Sequence, residues 1–580
     1  MRPGARLIFV LLGASVIADL PVHVDYGDIL GDWRFKIFYD DVEGQQASNL
    51  LYTCGSTLPN KVDLNLELTT LNLRDWENLF ESFDRNVTAI VSLTSERQPF
   101  AESQRRFWQG LQATKRVSSN QTERGFWTMV ADEGFEVKFD STGESFLGLI
   151  SYVPTSCRGR KRYGPGHSCF VTDATRTFIG WYRMSAPRDA QKKSHRRGCF
   201  IGTRSASDFG PSGSEPGSES KEYATEASFL LLSETTGLVQ HSDNQMESKP
   251  PRSCRSKVAT VPDLPESFSV GDPFLRPDLM TEADYEVPDQ GKCGNCYAIA
   301  SAYALFKRKQ FSIGTLTGTP DEAIASTARV SDALTGTSDS SPPPANLVPF
   351  ITEQVTACSM FNQECDGGYP YLAHKWLAEV GFRSPQYGAS QYQPQSPLDS
   401  QSKSFQLKPE EKQSGPKKCA IAHRQVQTLP NGLPLVYELS TDYGSMPVSY
   451  GPVMVTGHGY VGGCFGCASE SEIRRELFEH GPVVAAIDTP FELTRYAGVG
   501  VFGAPTSAEE CVPRTLATWW ERTSHAVVLV GFGVDDDENV PYWVARNSWG
   551  ATWGKQGYFK IIRGHDFLGV EHQVSYADPS

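Results

Sequence analysis

Thirteen cysteines, an odd number, constrain this 580-residue chain more than any other feature. Whether they pair depends on the compartment, and the N-terminus speaks to that. Arg2 and Arg6 precede an apolar run from Leu7 to Ile17, and the small residues Ala14, Ser15 and Ala18 lie within or close it. This is the pattern of a secretory signal peptide, expected over residues 1–18. The run is too short to span a bilayer as a mature helix. Cleavage after Ala18 leaves Asp19 as the first mature residue. A secretory route makes disulfides reasonable, and an odd count then implies six pairs and one thiol kept free. It also opens Asn86-Val87-Thr88 and Asn120-Gln121-Thr122 to glycosylation.

The length predicts two or three domains. Residues 19–203 read as β-rich: Trp33-Arg34-Phe35-Lys36-Ile37, Val62 to Leu68 and Phe135-Glu136-Val137-Lys138-Phe139 alternate with period two, the mark of strands with one buried and one wet face. From Ser205 to Lys221 the chain is dominated by Ser, Gly, Pro and Glu and cannot bury enough apolar surface to fold. Residues 204–262 are therefore expected to be a linker or processed propeptide. Residues 263–580 mix helices and strands, with polar insertions near 331–345 and 385–418. Within them, 296–309 reads as a helix whose closing Lys307-Arg308-Lys309 complements the dipole. A second, from about 470 to 480, has a Ser469/Glu472 capping box and a Gly481-Pro482 stop. The 54 basic against 68 acidic residues, a net charge of −14, argue against a nucleic-acid partner.

Chemistry enters at Gln290-Gly291-Lys292-Cys293-Gly294-Asn295-Cys296-Tyr297. A cysteine that opens a helix sits beside free backbone N–H groups and the positive end of the dipole, which favour its thiolate. A nearby histidine would complete the activation. Gln290 has an amide that, with the Cys296 N–H, can hold an oxyanion. Downstream, His525 stands just before the apolar run Ala526 to Val530, and Asn547-Ser548-Trp549-Gly550 follows 22 residues after it. An Asn accepting from the imidazole fixes its tautomer, and Trp549 can shield that bond from water.

Gln290 to Tyr297, Cys365-Asp366-Gly367-Gly368-Tyr369-Pro370-Tyr371, Ser524-His525-Ala526-Val527 and Asn547 to Gly550 together resemble the four blocks of papain-like cysteine proteases, in that family's order. The resemblance implies Cys296 as nucleophile, His525 as general acid/base, Asn547 as orienter and Gln290 as oxyanion donor, with Gly367, Gly368 and Trp549 at the substrate. Tyr297, the block Gly368 to Ala373, Asp19-Leu20-Pro21, Gly31-Asp32-Trp33 and Gly180-Trp181 are similar to the cathepsin C, or dipeptidyl peptidase, branch. That implies an α+β architecture: an antiparallel β-barrel-like exclusion domain before a two-lobed papain-like domain. It further implies removal of dipeptides from free peptide and protein N-termini, the substrate ammonium held by Asp19. A bound chloride at Tyr369, Tyr371 and Tyr460, a homotetramer, and a lysosome- or vacuole-like, granule or extracellular location also follow from the resemblance.

The same resemblance pairs Cys293 with Cys365, Cys358 with Cys419 and Cys54 with Cys199. The family cysteine expected soon after Asp19 is missing, and Cys157–Cys169 is expected to replace its bridge. Cys254, Cys464, Cys467 and Cys511 stay unassigned. Cys464-Phe465-Gly466-Cys467 lacks a second pair at zinc spacing and reads as structural disulfide rather than metal site. Gly457-His458-Gly459-Tyr460-Val461-Gly462 matches a dinucleotide fingerprint by letter, but its helix starts too late. Cys296 and His525 are 229 residues apart, against about 130–150 in papain-like enzymes, an excess the insertions explain. Two other functions stand beside the exopeptidase: an endopeptidase of the same fold whose N-terminal domain is shed, and a catalytically silent binding protein.

Overall fold

The computed structural model describes residues 24–39, 54, 85–100, 105, 108–118, 121–155, 169–184, 196–204, 222–224, 264–317, 348–379, 425–428, 434–438, 455–504, 523–535 and 540–579. The leader, Asp19, the Val62 to Leu68 alternation, Asn120, Cys157, Cys254, Cys419, Cys511 and both expected insertions lie outside them.

Strands β1 (Gly31–Tyr39), β2 (Arg85–Pro99), β3 (Gln109–Ser118), β4 (Gln121–Val130), β5 (Gly134–Phe139), β6 (Glu144–Thr155), β7 (Cys169–Thr177), β8 (Gly180–Met184) and β9 (Arg196–Arg204) form one antiparallel sheet. It runs β1-β2-β3-β4-β5-β6-β8-β9 and closes where β9 pairs with β1, so the eight strands make a barrel. The closure removes both open edges. Trp33, Phe35, Phe135, Val137, Phe139, Phe146 and Phe200 fill the barrel, all fully buried. The Trp33 indole donates to Ile29 O at 2.8 Å. Gly180 allows the close packing of β8, since a Cβ there would lie 2.4 Å from the Phe200 ring and 2.5 Å from Leu147 O. The Cys54–Cys199 disulfide ties β9 to the preceding chain. Strand β10 (Glu222–Ala224) pairs with β7, so part of the 204–262 interval is ordered. Asn86 sits in β2 opposite Phe38.

The C-terminal region has a helical and a sheet lobe. The helical lobe comprises Cys296–Thr317, Val348–Cys358 and Pro370–Glu379. The other lobe adds β11 (Phe268–Ser269), β14 (Val455–Tyr460), β15 (Val483–Ile487), β16 (His525–Val534), β17 (Pro541–Arg546), β18 (Tyr558–Ile562) and β19 (Val574–Pro579) in one antiparallel sheet, with β12 (Gln425–Thr428) and β13 (Pro434–Glu438) as a separate ribbon. The helix Glu470–His480 begins with the expected Ser469/Glu472 capping box and stops at Gly481. Strand β14 is followed by a 3₁₀ turn, Val461–Gly463, and not by the helix a dinucleotide site requires.

Two expectations need correction. The helix opened by Cys296 does not end at Lys309 but continues to Thr317. Lys307 and Arg308 are buried and bind Asp284 and Glu476 at 2.6 and 2.7 Å. Breaking such a buried pair costs about 3–5 kcal/mol, whereas a charge at a helix end is worth about 0.3–1 kcal/mol. Tertiary pairing, not the dipole, therefore explains the basic run. Nor is the polar phase of β5 wet: Glu136 is 1% exposed, because that face of the barrel packs on the C-terminal region. Around it, Trp181 meets Phe361 edge-on at 5.1 Å, and the Phe465 N–H donates to Thr128 Oγ1 at 2.9 Å.

Phe35 packs against Phe200, Phe146 and Phe135 at 4.7, 5.1 and 6.1 Å. Phe35→Ala is expected to destabilise the barrel by about 3–5 kcal/mol, read as a lower urea midpoint of the barrel's unfolding. A second expectation concerns acid. Burial holds His374 down to about 3, and His458, His525 and His572 down to about 4. An unfolded histidine titrates near ~6.5, so between those values the unfolded chain binds more protons. The contribution of these histidines to the unfolding free energy should thus fall as pH drops from about 6.5 towards 4, while the raised carboxyl of Asp566 works in the opposite direction. His374→Leu removes one such group, neither of whose ring nitrogens has a partner among the described residues. Thermal unfolding at pH 5 and pH 7 should show a smaller acid-induced loss in that variant; an unchanged loss would contradict the buried neutral ring.

Candidate active site

The site forms where the long helix, β16 and the segment after β17 meet. Cys296 is the first residue of its helix and is fully buried. Among the described residues it is the free cysteine. The preceding turn is fixed on both sides. Cys293 is bonded to Cys365, and the Gly294 N–H donates to Cys365 O at 2.7 Å. The Gln290 N–H donates to Ser548 O at 2.9 Å. The Gln290 amide donates to Cys293 O at 2.9 Å, and its oxygen accepts from the Ser548 hydroxyl. The thiol is within hydrogen-bonding reach of the Gln290 side chain and of the backbone N–H groups of Tyr297 and Ala526. Ala526 follows His525, so the start of β16 sets the histidine next in sequence to a backbone N–H that faces the sulfur.

His525 and Asn547 are also buried, and Nε2 of the ring lies 2.7 Å from Asn547 Oδ1. Nδ1 has no partner among the described residues, which leaves it as the nitrogen able to exchange a proton with the thiol. Trp549 stacks on the imidazole, centroids 5.0 Å apart and planes 25° apart, and Trp553 packs edge-on behind it. Burial pushes the Cys296 thiol up to about 11, against its lowering contacts with the Ala526, Tyr297 and Gln290 groups. Burial likewise pushes His525 down to about 4, against the Asn547 contact. Burial thus works against the charged form of each group taken singly.

Gly367 and Gly368 join a 3₁₀ turn, Glu364–Asp366, to the helix Pro370–Glu379. Gly367 has φ 126°, and a Cβ on Gly368 would lie 2.4 Å from Asn362 Oδ1. That oxygen accepts from the Tyr369 N–H at 2.8 Å, so the turn needs glycine before any substrate is considered. Tyr369 and Tyr371 turn their hydroxyls to the barrel, donating to Glu133 and Glu136. Tyr371 also stacks on Tyr460 at 4.4 Å, and the Tyr460 hydroxyl accepts from the Ala131 N–H at 3.4 Å.

These bonds bear on the chloride assignment. The Tyr369 N–H is spent on Asn362 and the Tyr371 hydroxyl on Glu136. Burial raises the Glu136 carboxyl, but Lys138 and Lys375 more than offset this and hold it well below the usual range. A chloride at Tyr369, Tyr371 and Tyr460 would lie beside this buried carboxylate.

Sequence reasoning missed Ser548, which seats the Gln290 amide, and Glu133 and Glu136, whose place in an alternating strand made the latter look solvent-facing. Cys464 is bonded to Cys467, resolving that motif as a disulfide. Cys358 is disulfide-bonded, and its expected partner lies outside the described residues. Cys169 opens β7, and its expected partner Cys157 also lies outside them. Among the described residues no cluster of metal-ligating side chains occurs.

Two family descriptions match the chain. Residues 19–204 match the cathepsin C exclusion domain and residues 323–578 the papain family cysteine protease. The second match begins beyond Cys296 and includes His525 and Asn547. Dipeptidyl aminopeptidase 1 of Plasmodium falciparum is 23% identical, covering 97% of this chain and 94% of that protein. Cathepsin C of Schistosoma mansoni is 27% identical over 56% of this chain, which spans about half, 53%, of that relative's length. Among solved structures, procathepsin L 3 of Tenebrio molitor larval midgut covers 54% of this chain at 20% identity and a TM-score of 0.31. The two family matches together with the Cys296, His525 and Asn547 geometry lead to one assignment: the chain is a cathepsin C-like member of the papain family of cysteine proteases, with an exclusion domain before its protease domain.

Proposed function

We propose that this protease is a dipeptidyl peptidase, releasing dipeptides from the free N-termini of peptides and proteins through a thioacyl-enzyme on Cys296. The observation that carries this is the docking of the barrel on the Gly-Gly-Tyr-Pro-Tyr segment through Tyr369–Glu133 and Tyr371–Glu136. A papain-type cleft is open at both ends, and a domain seated on that segment closes one of them. Such a cleft admits a chain terminus and not the middle of a chain.

The steps follow from the site. Substrate entry gives the thiol a polar environment, and His525 Nδ1 takes the Cys296 proton. Asn547 holds the ring in the tautomer that can do so. Sulfur attacks the carbonyl two residues from the substrate's N-terminus. The Cys296 N–H and Gln290 amide hold the oxyanion, and imidazolium returns its proton to the leaving amine. Water, deprotonated by the same ring, then releases the dipeptide. Trp549 keeps solvent from the His525–Asn547 bond. Backbone at Gly367 and Gly368 can lie close to the substrate.

Asp19 is the proposed anchor for the substrate ammonium. Supporting this, the Val24 N–H donates to Asp132 O on the same hairpin that carries Glu133. The residues between Asp19 and Val24 can reach about 17 Å from there. A secretory route to a lysosome- or vacuole-like compartment, granule or the exterior is consistent with the described disulfides. Among the described residues no helix is long and apolar enough to cross a membrane. Homotetramer formation is part of the same proposal and rests on the family alone. Loss of the exclusion domain, as the endopeptidase alternative requires, would leave Glu136 and Lys375 facing water without their interdomain partners.

Cys296→Ala is expected to abolish turnover of dipeptidyl fluorogenic amides. Gln290→Ala should lower kcat by about 10²–10³ with little change in KM. Asp19→Ala should erase the preference for free over N-acetylated peptides; a preference that survives it means the ammonium is held elsewhere.

A further inference from the structure

A second set of charges, buried at Glu476 and Arg308 and partly buried at Arg105 and Asp578, joins the two domains. Glu476, on the helix Glu470–His480, and Asp578, on β19, both accept from Arg308 Nη2, at 2.7 and 2.6 Å. The other nitrogen of that fork, Nη1, donates to the carbonyls of Gly481 and Pro482. One guanidinium thus serves two carboxylates with a single nitrogen. The rest of the demand is met from the barrel side. Arg105, in the connection between β2 and β3, donates to both Glu476 oxygens at 2.6 and 2.8 Å and to both Asp578 oxygens at 2.6 and 2.7 Å. It also lies over the Tyr576 ring at 4.0 Å. His480 Nδ1 stands 3.1 Å from Glu476. The protease domain supplies two acids and one guanidinium, and the exclusion domain supplies the second guanidinium that balances them.

The surroundings are shaped for this insertion. Trp108 packs on Tyr576 at 5.4 Å, and Phe100 lies where a Cβ on Gly463 would meet its ring at 2.6 Å. Arg308 is on the helix that Cys296 opens, about 18 Å along it. We propose that Arg105 is a positioning residue: by completing this ion cluster it holds the exclusion domain at the setting that closes the cleft to blocked N-termini. The proposal deepens the dipeptidyl reading and rests on it.

The test uses full-length Arg105→Ala and Arg105→Lys, since Lys keeps the charge but cannot fork to two carboxylates. Two quantities are read for each: the ratio of kcat/KM for a free peptide amide to that for its N-acetylated form, and the calorimetric unfolding of the chain. Arg105→Ala is expected to narrow the ratio by about tenfold or more, while Cys296 still labels with an electrophilic probe. Its barrel should melt separately and earlier than in the parent, with Arg105→Lys in between. A ratio within about twofold of the parent in Arg105→Ala, or in Arg105→Lys should the first not fold, overturns the proposal. If the parent itself cuts both peptides equally, the dipeptidyl reading fails. Calorimetry then still decides whether Arg105 holds the barrel, and an unchanged transition in the variants counts against it.

Discussion

The helix Cys296–Thr317 can lie in the core only because its charged side chains are neutralised there. Lys307 binds Asp284, which also accepts from Tyr303 at 2.5 Å, and Arg308 binds Glu476 and Asp578. An unpaired buried charge would cost several kcal/mol, enough to expel the helix or shift its register. With the pairs formed, the apolar positions Ala298, Ala302, Leu305 and Phe306 pack fully buried, and the helix's first residue is fixed at the lobe junction. The Cys293–Cys365 disulfide and the Gln290–Ser548 contacts then define the turn that presents the sulfur. Placement of the thiol is thus a consequence of charge pairing further along the same helix.

The barrel contributes through its polar phase. In an isolated antiparallel barrel the residues between the core positions of β5 would face water. Here Glu136 and Lys138 meet Lys375, Tyr371 and His458 from the protease domain. The Glu136 carboxylate lies 2.6 Å from Lys375, which in turn binds Glu379 at 2.5 Å. Closely packed and alternately charged, these groups cannot be re-exposed singly without leaving a partner unsatisfied. The exclusion domain is therefore seated by polar contacts that specify orientation, with Trp181 and Phe361 adding apolar area.

Much of this was legible from residue order. The blocks around Cys296, His525 and Asn547, the capping box at Ser469 and the alternation in β1 and β5 are local signals, and each corresponds to the element it implied. What stayed hidden depends on partners distant in sequence. Nothing near Lys307 or Arg308 says that carboxylates from elsewhere in the chain will meet them, so the basic run looked like a helix end. Glu136 in an alternating strand reads as wet until a second domain covers it. Arg105 lies in a connection without periodicity, and its partners Glu476 and Asp578 are 371 and 473 residues away. The carboxylates that Tyr369 and Tyr371 bind stayed hidden for the same reason: they belong to another domain.

The ion cluster at Arg105 also bears on how the two domains depend on each other. Without Arg105, Glu476 and Asp578 would share one guanidinium, with His480 beside Glu476. Surface ion pairs contribute about 0–1 kcal/mol, but removing one partner from a buried set costs about 3–5 kcal/mol. That cost would fall on the helix that carries Cys296, because Arg308 belongs to it. The contact that joins the barrel to the protease domain is then also a contact to the helix that carries the nucleophile. The seat of the barrel and the helix that carries Cys296 thus share the same two carboxylates, Glu476 and Asp578.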